Sequence, residues 1–383
     1  MKYQNFFMIN RVIGVFLSTL CNAISTVYLL QKGFSLSVIS SVYAFALILN
    51  TLFEYPSGAI ADYFGRKRVY ALGMFFRGLQ CLFYVLADSP LFLFVGAFFE
   101  SIYSSLTSGS LEAWLKGVDD KKINYNHLFG LCKMLSSIIS IGLLLITSLF
   151  IDLNLKELFL FCTLFYVGMM FFNLLLFEDN KGNQETILSY QEKTFKFYLK
   201  SKKMIEISIV LSIAYGFISI YMLYFQAKGD LIGVSDHFYT LASSISLLGG
   251  VISGYYLSKY NQEKSKWNII LYCFVGILFS FILFLLSSNS IMLLVGNFIY
   301  GLSSSIIMPV FYSWMMDLLI DDNLATSISL LSGIAGISAS FTTFLVGHLI
   351  SLCGLDVAMY IGLLLGIISL LLIFRLIKGE KNA

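Results

Sequence analysis

Several charged side chains of this sequence stand inside long apolar segments, where their chemistry differs from that of surface charges. Arg77, Glu100 and Glu54 are the main examples. A charge in a hydrocarbon environment costs at least about 2.5–3.5 kcal/mol unless it is paired or hydrated, so each of these residues marks a candidate functional site. A carboxyl group in such a place can exchange a proton, and a guanidinium can pair with it. We therefore predict that Glu100 and Arg77 couple a proton, with Glu54 as the reserve candidate.

Positions along the chain indicate that Arg77 and Glu100 can meet. Arg77 lies nine residues after Arg68, and Glu100 lies ten residues after Pro90. At about 1.5 Å per helical residue, both side chains reach a depth of roughly 13–15 Å, from opposite faces of a layer about 30 Å thick. A permanent ion pair that only joins two helices is the alternative interpretation, and the sequence leaves both open.

The motif GAIADYFGRKR at residues 58–68 combines two glycines, an acid and three cations. Its first glycine allows a facing helix to approach closely, and its second permits the chain reversal of a short turn. The cations follow the end of a helix, where positive charge is favoured. A general excess of positive charge would not explain the glycines and the acid at this spacing. We predict a gate formed by Gly58, Asp62, Gly65, Arg66, Lys67, Arg68 and, from a later segment, Glu112.

Two contacts are expected of this gate. Asp62 should face the start of a later helix at Thr326 and Ser327, where free backbone N–H groups and the positive end of the helix dipole attract an anion. Arg66 should pair with Glu112, which ends another apolar segment.

Polar and aromatic residues near the middle of apolar segments are candidates for the wall of a substrate cavity. A wall rich in aromatic rings and poor in charge suits an amphipathic or weakly cationic molecule better than a phosphate ester or a dicarboxylate. Because 16% of the residues are aromatic, packing against lipid or a neighbouring helix is the alternative for each candidate. The candidates are Asn22, Tyr103, Tyr215, Asn297 and Tyr300.

The composition defines the environment of these residues. Of 383 residues, 58% are hydrophobic and 12% are charged, which excludes an ordinary water-soluble protein. Nucleic-acid binding is excluded because the basic residues lie in short loops between apolar segments. The 6 cysteines show no CxxC spacing, and the chain has no nucleotide-binding motif. We therefore expect no enzymatic activity, no metal site and no cofactor.

Twelve apolar runs are long enough to be membrane-spanning helices. None shows the alternation of a membrane β-barrel, so the sequence predicts an all-α polytopic membrane protein. The runs cover residues 6–30, 36–57, 69–87, 90–111, 128–151, 155–177, 205–226, 236–257, 267–287, 290–316, 326–350 and 355–377.

The loops alternate in charge. The set that includes both termini carries 19 Lys and Arg residues and the opposite set carries 3, so both termini are predicted to be cytoplasmic. The long hydrophilic stretch at 178–204 belongs to the first set. Lysines at helical spacing from Lys193 to Lys203 favour an interfacial helix on anionic lipid, with a solvated linker as the alternative.

The two halves of the chain resemble each other. An offset of 200 superposes seven identical residues of 93–114 on 293–314, including Trp114 on Trp314. An offset of 196 superposes Gly58 on Gly254. We predict two six-helix bundles, 1–177 and 205–383, related by a pseudo-two-fold axis along the membrane normal, with 178–204 as the linker.

The motif at 58–68 resembles the signature G-x-x-x-D-x-x-G-R-K/R of the major facilitator superfamily, and the predicted topology resembles the twelve-helix fold of that family. The pieces EYPSG at 54–58 and SGSLEAW at 108–114 are similar to a bacterial subgroup of drug or small-molecule efflux proteins. The fifth helix lacks the G-P-x-x-G-G pattern of drug antiporters, and the fourth has Glu100 where they carry arginine. The resemblance implies that the first, fourth, seventh and tenth helices line a central cavity.

The resulting prediction is a monomeric, proton-coupled secondary transporter in a bacterial cytoplasmic membrane, which exports an amphipathic or hydrophobic small molecule by alternating access. Its partners are the small-molecule substrate, a proton and membrane lipid. A proton-coupled nutrient importer, a lipid flippase and a non-transporting sensor on the same fold are the alternatives.

Overall fold

The computed structural model describes residues 2–118, 123–149, 155–182, 196, 200–234, 236–260, 266–318 and 324–381. Every regular element within these ranges is an α-helix. The helices are α1 Tyr3–Gln31, α2 Leu36–Phe64, α3 Arg66–Leu86, α4 Pro90–Thr107, α5 Ser110–Val118, α6 Tyr125–Leu149, α7 Leu155–Leu175, α8 Lys202–Ile232, α9 Asp236–Lys259, α10 Lys266–Leu286, α11 Ser290–Ser304, α12 Ile307–Leu318, α13 Leu324–Cys353 and α14 Leu355–Lys381.

The helices follow the predicted apolar runs, with two breaks. The fourth run divides into α4 and α5 at Ser108–Gly109, and the tenth divides into α11 and α12 at Ser305–Ile306. The two breaks lie in the matching runs of the two halves, about three residues apart when the halves are aligned at the offset of 200. In the described part of the chain, nine helical stretches are long and apolar enough to cross a membrane. The all-helical membrane fold is confirmed, and the number of twelve crossings stays a prediction.

Local sequence signals explain where several helices begin. The Ser35 hydroxyl accepts a hydrogen bond from the Val38 N–H at the start of α2, and Asn289 does the same for Met292 at the start of α11. Such caps satisfy backbone donors that lack a partner inside the helix. Pro90 occupies the first turn of α4, where its missing N–H costs nothing.

The described residues form two compact units. The first consists of Met1–Ile123, Gly142–Lys200 and Met315–Gly333, and in it α3 packs on α4 and α7 while α2 packs on α4. Trp114, Tyr84 and Phe159 are fully buried there.

The second unit consists of Asn124–Ile141, Ser201–Trp314 and Ile334–Ala383. In it α11 packs on α9 and α10, while α14 packs on α10 and α8. Each unit thus includes one segment from the other half of the sequence, because α6, α12 and α13 each change units along their length. The predicted bundles 1–177 and 205–383 remain a proposal.

Large apolar side chains also cover much of the outer surface. Leu164, Leu175, Tyr272 and Ile291 are each more than two-thirds exposed. A water-soluble protein rarely exposes such continuous apolar patches, whereas a lipid-facing surface requires them. The chain is therefore a multi-pass membrane protein. Most of the predicted linker lies outside the described residues. Of the proposed interfacial helix from Lys193 to Lys203, the structure describes Lys196 and residues 200–203, and α8 begins at Lys202.

Lys32, just after α1, caps the far end of α3. Its ammonium group donates hydrogen bonds to the carbonyl oxygens of Val85 at 2.6 Å, Ala87 at 2.8 Å and Tyr84 at 3.3 Å. The last carbonyl groups of a helix have no N–H donor within the helix. A cation at this end is also attracted by the negative end of the helix dipole. Burial lowers the pKa of Lys32, while nearby Asp88 acts in the opposite direction.

We predict that Lys32→Ala lowers the stability of the first unit, because three carbonyls at the end of α3 lose their donor. The expected cost is about 1–3 kcal/mol, measured as a lower melting temperature of the purified full chain. Lys156→Ala removes the same charge from an exposed position and serves as the control. Equal melting temperatures for the two variants would contradict the capping role.

Candidate functional site

Arg77 of α3 and Glu100 of α4 form an ion pair inside the first unit. Arg77 Nη1 donates to Glu100 Oε1 at 2.5 Å, and Arg77 Nη2 donates to Asn22 Oδ1 on α1 at 3.0 Å. Gln80, one turn after Arg77, donates to Glu100 Oε2 at 3.2 Å. The meeting of Arg77 and Glu100 expected from their depths is present, and Asn22 and Gln80 complete a polar cluster.

Two cavities open onto this cluster. The larger has a volume of about 510 Å³ and includes Asn22, Arg77, Glu100 and Tyr103 in its wall. The smaller, of about 270 Å³, shares Asn22, Arg77 and Glu100. The Arg77 side chain is 3% exposed and the Glu100 side chain 26%, so the carboxylate is the charge that the cavity presents. The Tyr103 ring centre lies 5.2 Å from the Arg77 guanidinium carbon, in cation–π range.

The remaining cavity candidates belong to the second unit and to neither of these cavities. Asn297 of α11 is buried and donates a hydrogen bond to the Ala242 carbonyl. The Tyr300 hydroxyl donates to the Ile218 carbonyl at 3.1 Å, and its ring stacks on Tyr221. Tyr215 of α8 is half-buried. Asn297 and Tyr300 thus contact neighbouring helices of the second unit, and their place in the wall of a substrate cavity stays a prediction.

Asp62 lies at the end of α2, and its carboxylate bonds to two other parts of the first unit. Oδ1 accepts from Arg66 Nε at 2.7 Å. Oδ2 accepts from the Thr326 backbone N–H at 3.0 Å and from the Thr326 hydroxyl at 2.8 Å, in the first turn of α13. The contact expected between Asp62 and the start of this helix is therefore present.

Gly58 marks the point where α2 crosses α13. A Cβ atom there would lie 2.7 Å from the Ala325 carbonyl oxygen, 2.7 Å from Thr326 Cα and 2.8 Å from Ser329 Cβ. Carbon and oxygen atoms do not approach so closely without a bond, so the crossing requires glycine.

The structure gives Arg66 and Glu112 other partners, and their expected pairing with each other stays a prediction. Arg66 bonds to Asp62 and to the Ala113 carbonyl at 3.1 Å, while Glu112 forms its ion pair with Arg11 of α1. Asp62 stands four residues before Arg66, across the break at Gly65, and Arg11 reaches Glu112 from α1, a helix far away in sequence.

The three cations do not follow a helix as free charges; they form the first turn of α3. Gly65 alone separates α2 from α3, and its φ of 122° is a conformation that side chains disfavour. Positive charge at a helix start is unfavourable by about 0.3–1 kcal/mol, so these cations need other partners.

Residues 176–182, which we call the strap, provide those partners. The Asp179 carboxylate accepts from the backbone N–H groups of Lys67 at 2.8 Å and Arg68 at 3.1 Å and so caps α3. The Lys67 ammonium donates to the carbonyls of Leu176 and Phe177. Asn180 completes the strap by donating to the Trp114 carbonyl at 2.7 Å. Sequence reasoning missed the strap because its residues lie more than a hundred positions from the motif.

The second unit contains a related crossing of α9 and α6. A Cβ atom on Gly254 would lie 2.8 Å from the Gly130 carbonyl oxygen, and one on Gly130 would lie 2.6 Å from the Gly254 carbonyl oxygen. Gly254 is the residue that the 196 offset matches to Gly58. The agreement supports the duplication.

A polar chain in the second unit also follows the repeat. Lys266 donates to the Ser313 hydroxyl at 2.8 Å, which donates to Asn126 Oδ1 at 2.7 Å. The 200 offset matches these three residues to Arg66, Ala113 and Thr326.

Glu54 lies one turn before Gly58 on α2 and is 6% exposed. The Ser108 hydroxyl is within hydrogen-bonding reach of its carboxyl group, and the described residues supply no ion-pair partner to it. Its environment differs from that of Glu100, whose charge Arg77 balances.

The described residues contain no group of three or more His, Cys, Asp or Glu side chains arranged to bind a metal ion.

These features define a polytopic helical membrane protein with an ion-paired polar cavity inside an apolar helix bundle. The family model described as Major Facilitator Superfamily matches residues 7–319 and 233–382. The chain belongs to the major facilitator superfamily.

Other comparisons agree with this fold. The chain is 26% identical over 191 residues to an uncharacterized MFS-type transporter, YxaM, of Bacillus subtilis (strain 168), a match that covers 48% of this chain and 47% of that protein. The human organic anion transporter MFSD10 (TETRAN) superposes with a TM-score of 0.80 at 11% identity, covering 97% of this chain and 98% of that one. A bacterial homologue of the iron transporter ferroportin in an outward-facing state gives 0.75 at 14% identity, with 98% and 99% covered. At these identities the two structures show the fold alone.

We predict that Gly58→Ala destabilises the protein, because the added methyl group meets backbone atoms of α13. The expected cost is about 1–3 kcal/mol. Gly168→Ala is the matched control: its Cβ meets nothing within 4 Å, and alanine at such a helical site stabilises by roughly 0.5–1 kcal/mol. Thermal melting of both variants measures the difference, and a fully stable Gly58→Ala would contradict the close crossing.

Proposed function

We propose that this chain is a proton-coupled secondary transporter that exports an amphipathic or hydrophobic small molecule by alternating access. It would work in a bacterial cytoplasmic membrane with both termini in the cytoplasm. The observation that carries the proposal is the Arg77–Glu100 pair in the wall of a cavity of about 510 Å³, inside an otherwise apolar helical unit. Membership of the family supports the proposal that the chain is a transporter. The proposed coupling ion and substrate class are argued from this site.

The wall of the larger cavity supports an amphipathic substrate. Tyr43, Tyr103, Ala46 and Leu47 offer ring and aliphatic surface beside the ion pair. Pockets of this kind bind the apolar body of a ligand and orient it with a few polar groups. Because Glu100 is the more exposed partner, a weakly cationic group has an anion to approach.

Substrates of a different charge are less well matched. MFSD10 is described as an organic anion transporter, and such a substrate would need a cation facing the cavity. Arg77 is almost fully buried and is bound to Glu100 and Asn22. A nutrient importer or a lipid flippase remains the second candidate, since direction of transport depends on the coupling ion and its gradient.

Two carboxyl groups are candidates for the coupling proton. Glu100 can release its proton when it pairs with Arg77 and take one up when the pair is loosened in another state of the cycle. Glu54 is buried without a cation beside it, so a neutral, protonated form suits its site. We therefore assign the coupling proton to Glu100, paired with Arg77, and keep Glu54 as the reserve candidate.

Asp62 supports the proposed gate. Its bonds to Arg66 and to Thr326 join a residue of the first half of the sequence to one of the second half. If the halves move as bundles, these bonds must break when the cytoplasmic side opens. The strap stabilises the same turn, because Asp179 accepts hydrogen bonds from the first backbone N–H groups of α3.

We predict that Asp62→Asn lowers transport by at least about tenfold, equivalent to about 1.4 kcal/mol, while expression is retained. The amide keeps the shape of the side chain and removes the charge that binds Arg66 and the α13 N-terminus. Transport of a labelled lipophilic cation into everted vesicles measures the effect. Asp88→Asn makes the same change at an exposed turn and is the control. Full activity of Asp62→Asn would remove Asp62 from the gate.

We further predict that Glu100→Gln abolishes uphill transport driven by a pH gradient, because the amide cannot exchange a proton. Reconstituted protein in vesicles with an imposed pH gradient provides the measurement, and exposed Glu157→Gln is the control. If Glu100→Gln still drives uphill transport and Glu54→Gln does not, the coupling role belongs to Glu54. If both retain it, proton coupling through these residues is wrong.

A further inference from the structure

Three cysteine thiols meet inside the first unit, beside the polar cluster. Cys21 of α1 and Cys81 of α3 have their sulfur atoms 3.6 Å apart. Cys162 of α7 is within hydrogen-bonding reach of the Cys21 thiol. All three are free and buried. Three helices therefore bring their thiols to one point, although the sequence has no CxxC motif.

Cys21 is the thiol that a small molecule can reach. It lines the smaller cavity of about 270 Å³ together with Asn22, Arg77 and Glu100. Cys81 and Cys162 have no exposed surface. Cys21 is only 2% exposed, so an oxidant reaches it through this cavity. A nearby cation favours the reactive thiolate, and Arg77 lies in the wall of the same cavity.

We propose that Cys21 is a peroxide-sensitive site that forms a disulfide with Cys81, and that Cys162 is the alternative partner. The Cys21 thiolate attacks one oxygen of hydrogen peroxide and breaks the O–O bond, which gives a sulfenic acid and, with the thiol proton, one water. The Cys81 sulfur then attacks the sulfenic sulfur, its proton joins the departing hydroxide, and a second water leaves. The two thiols are oxidised and the peroxide is reduced.

The geometry permits this bond with a small movement. A disulfide has a sulfur–sulfur distance of about 2.05 Å, so the two atoms must approach by about 1.5 Å. The bond would link α1 to α3 one residue before Asn22, which accepts from Arg77. If the cavity holds the transported molecule, as proposed above, oxidation alters the substrate site; this last step alone rests on the proposed function.

The test uses the purified full chain in detergent, treated with hydrogen peroxide, denatured, alkylated and digested with trypsin. The three thiols fall in separate tryptic peptides, 12–32, 78–116 and 157–181. Mass spectrometry is expected to find 12–32 joined to 78–116, and dithiothreitol is expected to reverse the link. Cys273, a buried thiol of the second unit, should remain reduced and become alkylated, and it serves as the internal control.

Variants identify the roles of the three thiols. In Cys81→Ser the link should change to 12–32 with 157–181, whereas Cys21→Ser should lose both links and Cys273→Ser should change nothing. Gel filtration and thermal melting confirm folding, and Cys→Ala replaces any serine variant that fails to fold. The proposal is overturned if wild-type protein shows no link between 12–32 and 78–116, if Cys21 becomes a sulfinic acid without a link, or if Cys273 is oxidised equally fast. Whether oxidation lowers transport is measured separately. If the disulfide forms and transport is unchanged, the effect on the substrate site is wrong and the disulfide proposal still holds.

Discussion

The carboxylate of Asp62 is a buried anion, and the α2–α3 turn of the first unit depends on how its charge is balanced. Burial of an unpaired carboxylate costs several kcal/mol, so the surrounding groups must supply a cation and several donors. Arg66 provides the cation, and the first turn of α13 provides a backbone N–H and a hydroxyl. The crossing at Gly58 brings α13 close enough to do so. The buried charge of Asp62 therefore requires both the glycine at position 58 and the nearby N-terminus of α13.

The same turn determines where the cavity charges lie. Because Gly65 alone separates the helices, α3 begins at Arg66, and its register follows from that start. Each residue advances a helix by about 1.5 Å and turns it by about 100°, so the start of α3 specifies both the depth and the direction of Arg77. The strap stabilises that start by capping the first N–H groups of α3 with Asp179. A polar contact at the helix end and an ion pair deep in the unit are thus joined by a rigid helix.

Part of this arrangement was predictable from the sequence. The apolar runs predicted the helices, because a backbone in hydrocarbon must satisfy its hydrogen bonds within the helix. The depths of Arg77 and Glu100, estimated from the rise per residue, predicted that the two side chains meet. The contact of Asp62 with Thr326 followed from the chemistry of a helix N-terminus. The ion pair of Glu112 with Arg11 could not be predicted, because the approach of Arg11 depends on tertiary packing. Asp179 carries no local signal, since an acid in a hydrophilic stretch looks like any solvated residue until its position on α3 is known.

The crossing of α9 and α6 has a consequence for how this sequence can change over generations. At Gly130 and Gly254 each backbone occupies the space that a side chain on the other would need. Any substitution of glycine at either site places a side chain against the backbone of the other helix. Substitution at both sites increases the steric overlap. Selection can therefore relax this contact only by moving whole helices apart, which no single codon change achieves. The pair is expected to persist in descendants of this gene long after the lipid-facing leucines have been exchanged freely.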